Sequence, residues 1–190
     1  ILIYKIDFSK KELEILSNLS LITSKPTIYT ANISEDDLLT NNNQQALKTK
    51  EYANKNNCEY IQLCGKIEME ISRLDNEDKD DFLAMYSLKD SALNMLIKSS
   101  YKLLGLQTFF TAGAKEIRAW TINSGFTAPE AAGVIHTDFQ KGFIKAETYN
   151  LQDLITYKSE EAVKSAGKIR LEGKNYIVSE GDIIFFKFNV

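Results

Sequence analysis

Leu106–Gly125 reads LQTFFTAGAKEIRAWTINSG, and this stretch decides how the chain is parsed. β-Branched and aromatic residues dominate it, and small residues around Gly113 interrupt it midway. It reads as two strands, QTFFTAG and KEIRAWTI, joined by a tight turn. Phe109, Phe110 and Trp120 are expected in a core rather than on a stacking surface. No nucleophile, metal cluster or phosphate loop is visible in it.

Downstream, Thr127 suits the cap of a short helix, with Pro129 in its first turn and Glu130 three residues on. GFIKAETY reads as a strand, LQDLITY and SEEAVKSAG as short helical pieces. KNYIVSEGDIIFFKFNV reads as two strands around a Glu-Gly turn. Four or five strands wrapped on one helix make residues 106–190 a compact α+β domain.

Upstream the texture differs. Ser9, with Glu12 three residues later, opens a helix whose apolar spacing runs to residue 22. Pro26 ends it. Thr27–Ala31 reads as a short buried strand, SEDD as a polar loop, residues 43–56 as a helix and EYIQLCG as a second buried strand. Two apolar strands joined by a helix argue a parallel βαβ-like unit. KIEMEISRL, EDKDDFLAMYSL and SALNMLIKSSYKLLGL read as three helices. The acids at 75–81 form a solvated helix start, and Gly105 closes the last helix. The boundary between the two textures falls near 105–107, without a linker or an internal repeat.

Composition narrows the function classes. The 190 residues are 44% hydrophobic and 26% charged, which suits a globular protein of one domain or two small ones. A net charge of −3 does not mark a strongly basic nucleic-acid binder, although a local patch is compatible with it. Two cysteines and one histidine cannot complete a four-ligand zinc site without carboxylates. On one strand face Cys58 and Cys64 would lie about 20 Å apart, too far for a disulfide. They read as reduced thiols of a cytoplasmic protein. No apolar run approaches the roughly 20 residues of a membrane span, and no signal peptide is visible. ILIYKIDFSKK begins without Met, as if cut from a longer protein.

The chain has no G-x-x-x-x-G-K-[ST] and no G-x-S-x-G. No residue is assigned a catalytic or metal-binding role. Two features remain. ANISE follows the first strand, and an Asn-x-x-acid at a strand end is where nucleotide-binding α/β folds read a purine. The second strand ends in LCGK, whose backbone N–H groups suit a loop over the base. VIHTDFQKGFIKAE sets His136 beside Thr137, Lys141 and Lys145, a set that suits either contact with RNA or a hydrogen-bonded structural histidine.

LSLITSKPTIYTANISEDD, LQTFFTAGAKEIRAWTI, AAGVIHTDFQKGFIKAE and GDIIFFKFNV together resemble the C-terminal half of the YchF family, the Obg-like ATPases, from about residue 12 to Val190. The resemblance implies an α/β remnant of a P-loop G domain followed by a TGS domain of β-grasp, ubiquitin-like fold. Residues 1–24 would be the end of a helical insertion and its returning helix, 25–105 the C-terminal part of the G domain, and 106–190 the TGS domain. The family's base-reading Asn-x-x-Glu falls on Asn32, Ile33, Ser34 and Glu35, and its last base-side loop on Cys64, Gly65 and Lys66. Ras-like GTPases carry Asn-Lys-x-Asp there, and that Asp accepts two bonds from guanine. The family's pattern goes with a preference for ATP over GTP. The intact parent would use ATP and Mg²⁺, hydrolyse ATP slowly and act in translation or stress control. This chain alone, without the phosphate loop, would not be an enzyme. Similar TGS domains carry an apolar-His-Thr-acid stretch that meets RNA, and His136-Thr137-Asp138 matches it. The implied partners are the ribosome, ribosomal RNA or tRNA, and a nucleotide, with no membrane. The rival reading is a stand-alone β-grasp module that docks on protein or RNA without a nucleotide.

Overall fold

The computed structural model describes residues 3, 6–113 and 116–189. They fall into two compact units that divide between Leu104 and Gly105. The expected start of the second hairpin strand, at Lys115, lies outside the described residues.

The first unit opens with α1, Lys10–Leu19. Ser9 and Glu12 form the expected capping box: Ser9 N–H donates to Glu12 Oε2 at 2.8 Å, and the Ser9 hydroxyl accepts from Glu12 N–H at 3.4 Å. The helix stops three residues earlier than its apolar spacing suggests. Ser20 turns left-handed, with φ 47°, and Ile22–Ser24 forms a separate 3₁₀ turn.

Strands β1, Ile28–Asn32, and β2, Glu59–Leu63, pair in parallel as expected, from Ile28 opposite Glu59 to Asn32 opposite Leu63. Between them the supposed SEDD loop is helical: α2 spans Glu35–Thr40. Ser34 caps it by accepting from Asp37 N–H, and three acids in its first turn favour the positive end of the helix. Acid-rich polarity suits a loop and a helix start alike, and here the Ser34 cap selects the helix. Helix α3, Gln44–Lys55, then lies against the strands with Ala46 and Ala53 buried. After β2 come α4, Gly65–Ile71, α5, Asn76–Met85, and α6, Ala92–Leu104. Cys64, Ile67 and Ile71 are buried together, with Leu38, Phe82, Leu83, Tyr86 and Leu88 packed on them. Full burial of a side chain such as Ile67 contributes about 2–3 kcal/mol, so this cluster anchors α4 beneath the strand ends.

The second unit is a five-stranded sheet ordered β4-β3-β7-β5-β6. β3, Leu106–Ala112, and β4, Ile117–Asn123, form the antiparallel hairpin, with Phe109 opposite Trp120. α7, Ala128–Ile135, begins at the expected Thr127–Glu130 capping box. Its Ala128, Ala131 and Ala132 are buried against Phe109, Ile122, Phe143, Ile184 and Phe186. Small side chains on that face let the helix approach the sheet closely. α8, Thr137–Lys141, leads into β5, Phe143–Asn150, then α9, Leu151–Tyr157, and α10, Glu160–Ser165. Gly142 is required there by close packing: a Cβ would collide with the backbone carbonyl of Asn189.

The tail departs from the sequence reading. The two remaining strands are β6, Arg170–Glu172, and β7, Asp182–Phe188. The segment around Ile177 makes only an isolated bridge to Thr127. Asp182 braces this segment. Its fully buried carboxylate accepts from Tyr176 Oη at 2.6 Å, Ser179 N–H at 2.9 Å and Arg170 Nη2 at 3.3 Å, tying residues 176–182 into a turn.

Candidate functional site

Parallel strands end on the same side, so the last residues of β1 and β2 open together onto one edge. The ladder continues one step past the strands, where Ile33 N–H donates to Leu63 O at 2.9 Å. Beyond it the chain diverges into two helix starts, α2 and α4, and side chains brace the gap. Asn32 Oδ1 accepts from Gly65 N–H at 3.1 Å. Lys66 Nζ donates to Glu35 Oε2 at 2.8 Å, and Tyr86 Oη donates to Glu35 Oε1 at 2.7 Å.

The resulting open cleft of about 570 Å³ is lined by Asn32, Ile33, Ser34, Glu35, Asp36, Cys64, Gly65 and Lys66. All six residues singled out from the sequence for the base site, Asn32, Ile33, Glu35, Cys64, Gly65 and Lys66, border it. They divide by role. Ile33 and Cys64 are buried and serve as floor. Asn32 and Gly65 join the two loops, and Glu35 and Lys66 form an ion pair at the mouth, with Lys66 the more exposed. Neighbouring groups hold the Ser34 loop: Asp37 accepts from Asn43 Nδ2 at 2.9 Å and from the Ser34 hydroxyl at 2.8 Å. Glu68 points away and caps α6, accepting from Ala92 and Leu93 N–H.

The charges respond to this arrangement. The bond from Lys66, and then that from Tyr86, holds the Glu35 carboxyl below its ordinary value. Glu35 in turn raises both the Lys66 ammonium and the Tyr86 phenol. Glu35 is therefore an anion with a donor on each oxygen. The cleft offers a hydrophobic floor, amide and backbone groups, and a neutralised ion pair. That set suits the holding of a planar polar ligand, and its one thiol, Cys64, is buried in the floor.

Tyr86 is the residue that sequence reasoning missed. It caps the C-terminal end of α5, with its ring 5.3 Å from that of Phe82. Its bond to Glu35 spans 51 residues, and no local pattern announces it.

The residues read as an RNA contact lie in the second unit. His136 joins α7 to α8 and is exposed; its Nδ1 accepts from Asp138 N–H at 3.2 Å, and its ring lies 6.0 Å from that of Phe139. Thr137 and Lys141 are the two ends of α8. Lys145 stands apart on β5, opposite Lys187 of β7. Among the described residues, no group of histidine, cysteine and carboxylates is placed to hold a metal ion. No helix among them is long and apolar enough to cross a membrane.

Comparison with known proteins adds a second line of observation. The family model YchF-GTPase_C, described as "Protein of unknown function (DUF933)", matches residues 106–189. The ribosome-binding ATPase YchF of Bacillus subtilis (strain 168) is 48% identical over 186 residues, which are 97% of this chain and 51% of that protein. The protein of the same name from Escherichia coli O157:H7 is 49% identical over 97% of this chain and 50% of its own length. The structure of the Schizosaccharomyces pombe YchF GTPase superposes with a TM-score of 0.82 at 38% identity, covering 98% of this chain and 50% of that one. The chain thus spans about half the length of the curated relatives it matches.

Proposed function

The chain belongs to the YchF family, as the counterpart of the C-terminal half of its relatives, and on that premise we propose that the cleft over β1 and β2 is the base side of a nucleoside-triphosphate site. In this reading Asn32 uses its oxygen to hold Gly65 and its amide donors to meet a purine ring nitrogen. Ile33 and Cys64 supply the apolar floor, and Gly65 and Lys66 close the loop beside it. Residues 1–24 are the end of a helical insertion, 25–105 the later part of a P-loop G domain, and 106–190 a TGS domain of β-grasp fold. The five-stranded order with α7 crossing it supports that last assignment.

The whole protein binds ATP in preference to GTP, hydrolyses it slowly and associates with the ribosome. His136, Thr137, Lys141 and Lys145 are the RNA-facing candidates in 106–190. Mg²⁺, when bound, would neutralise phosphate charge. No described cluster suits that ion, so the chemistry assigned to these residues stops at holding and orienting the base.

One observation carries the reading: the Asn32–Gly65 bond bridges the carboxyl ends of two parallel strands, where α/β folds take their ligands. Calorimetric titration of the full chain with ATP, against an Asn32→Ala variant, tests it. The variant is expected to bind about tenfold or more weakly, the cost of a lost contact to the base plus a loosened loop. Equal binding by both proteins overturns the base-site assignment. A second reading, a docking module that needs no nucleotide, is favoured by the self-contained core of the second unit. It predicts RNA or protein binding by a chain that ignores ATP.

A further inference from the structure

The names of the relatives divide between ATPase and GTPase, and the chemistry at Glu35 bears on that division. An ionised carboxylate only accepts hydrogen bonds. Guanine presents two neighbouring donors, the ring N1–H and the exocyclic N2 amine, and a carboxylate with both oxygens available accepts the pair. Adenine has an acceptor at N1 and a bare C2–H at the same edge. A carboxylate offered to the base therefore favours guanine, and one withheld from it removes that advantage.

In this chain both oxygens are engaged. Oε2 takes Lys66 Nζ at 2.8 Å and Oε1 takes Tyr86 Oη at 2.7 Å. The second bond is held from below by packing. Tyr86 sits on the cluster of Cys64, Ile67 and Ile71. The chain closes directly behind it: Ser87 is left-handed, with φ 56°, and Leu88 N–H returns to Leu83 O at 2.9 Å. The phenol is thus aimed at Glu35 by a closed helix end, while the side chains that line the cleft are others. Tyr86 acts on a ligand only through Glu35.

We propose that Tyr86 is a specificity-setting positioning residue: together with Lys66 it withholds the Glu35 carboxylate from guanine and tilts the base site towards adenine. The proposal rests on the nucleotide-site reading above. A guanine that used Glu35 would have to share or displace two donors already seated on its oxygens, and that cost falls on guanine alone.

The test is equilibrium binding of ATP, GTP and ITP to the full chain, its Tyr86→Phe variant and the double variant Tyr86→Phe with Glu35→Gln. Tyr86→Phe frees Oε1 and keeps the ring packing. It is expected to shift the GTP-to-ATP affinity ratio towards GTP by about tenfold or more, the weight of one bond to a charged acceptor. ITP, which has the N1–H but lacks the 2-amino group, is expected to gain less. Adding Glu35→Gln is expected to erase the gain, which shows that it runs through the carboxylate. A merely structural role for Tyr86 would weaken all three nucleotides together, and an unchanged ratio overturns the proposal. Failure of the underlying reading looks different: the unaltered chain binds no nucleotide, or Asn32→Ala leaves binding intact, and the proposal then falls with it.

Discussion

The two units stabilise themselves by different means. Residues 105–190 build a five-stranded sheet around a buried cluster centred on Phe109, Ile122, Ile184 and Phe186, and the fully buried Asp182 has three donors. Residues up to Leu104 have two parallel strands, a smaller cluster and an edge braced by partly exposed polar side chains. Outside the strands of the first unit, Ile22 and Met85 are 83% and 70% exposed. The lesson is that the second unit's order comes from apolar packing, whereas the shape of the first unit's cleft depends on a few hydrogen bonds between loops. The second arrangement is the more easily altered by a change of charge.

Phe109→Ala should break the second unit most. Phe109 is completely buried between Trp120 and Phe186, and its truncation is expected to cost about 3–5 kcal/mol. Chemical unfolding followed by the fluorescence of Trp120, the sole tryptophan, measures it. A loss below about 1 kcal/mol would mean that the core is not the main support of this unit.

Asp182→Ala should follow. It strands Tyr176, Ser179 N–H and Arg170 without their acceptor and is expected to cost about 2–4 kcal/mol. The same unfolding experiment reads it, and protease sensitivity should rise first in residues 176–182. An effect as large as that of Phe109→Ala would show that the polar latch rivals the apolar core.

The smallest effect belongs to the first unit and depends on pH. Glu35 is held below its ordinary value of 4.5, by Lys66 first and Tyr86 second. A depressed carboxylate stabilises the fold above its unfolded value, and that contribution fades as pH falls through the folded one. Lys66 and Tyr86 are raised above 10.5 and 10.0 by Glu35, so their contributions are complete below those values and fade as pH rises through the folded ones. The brace should therefore be complete across neutral pH and open at both extremes. NMR titration of the Tyr86 ring checks this: its signals should move in acid as Glu35 protonates. A Tyr86 signal indifferent to acid would show the bond to Glu35 is not made in solution.

Most of the fold is legible locally. The Ser9–Glu12 and Thr127–Glu130 boxes, the hairpin from Leu106 and the parallel pair β1–β2 all follow from spacing that a few neighbouring residues impose. Two misreadings have one physical source each. Glu35–Thr40 looks polar enough for a loop, but Ser34 and three acids are what a helix start needs. The residues around Ile177 look like a strand, but their backbone makes only an isolated bridge, to residues 126–128, and the buried Asp182 carboxylate takes the next donor, Ser179 N–H. The site divides in the same way. Asn32 closes β1, Glu35 and Gly65 lie within three residues of a strand end, and strand ends are visible in sequence.

Periodicity, caps and turn residues therefore determined the strands, the helices and the edge where a ligand would sit, because those depend on interactions within a few residues. Only the tertiary structure decided that Glu35 meets both Lys66 and Tyr86 and that Asp182 anchors the tail. Each of these depends on side chains brought together by the burial of distant apolar faces, and no local rule encodes such meetings.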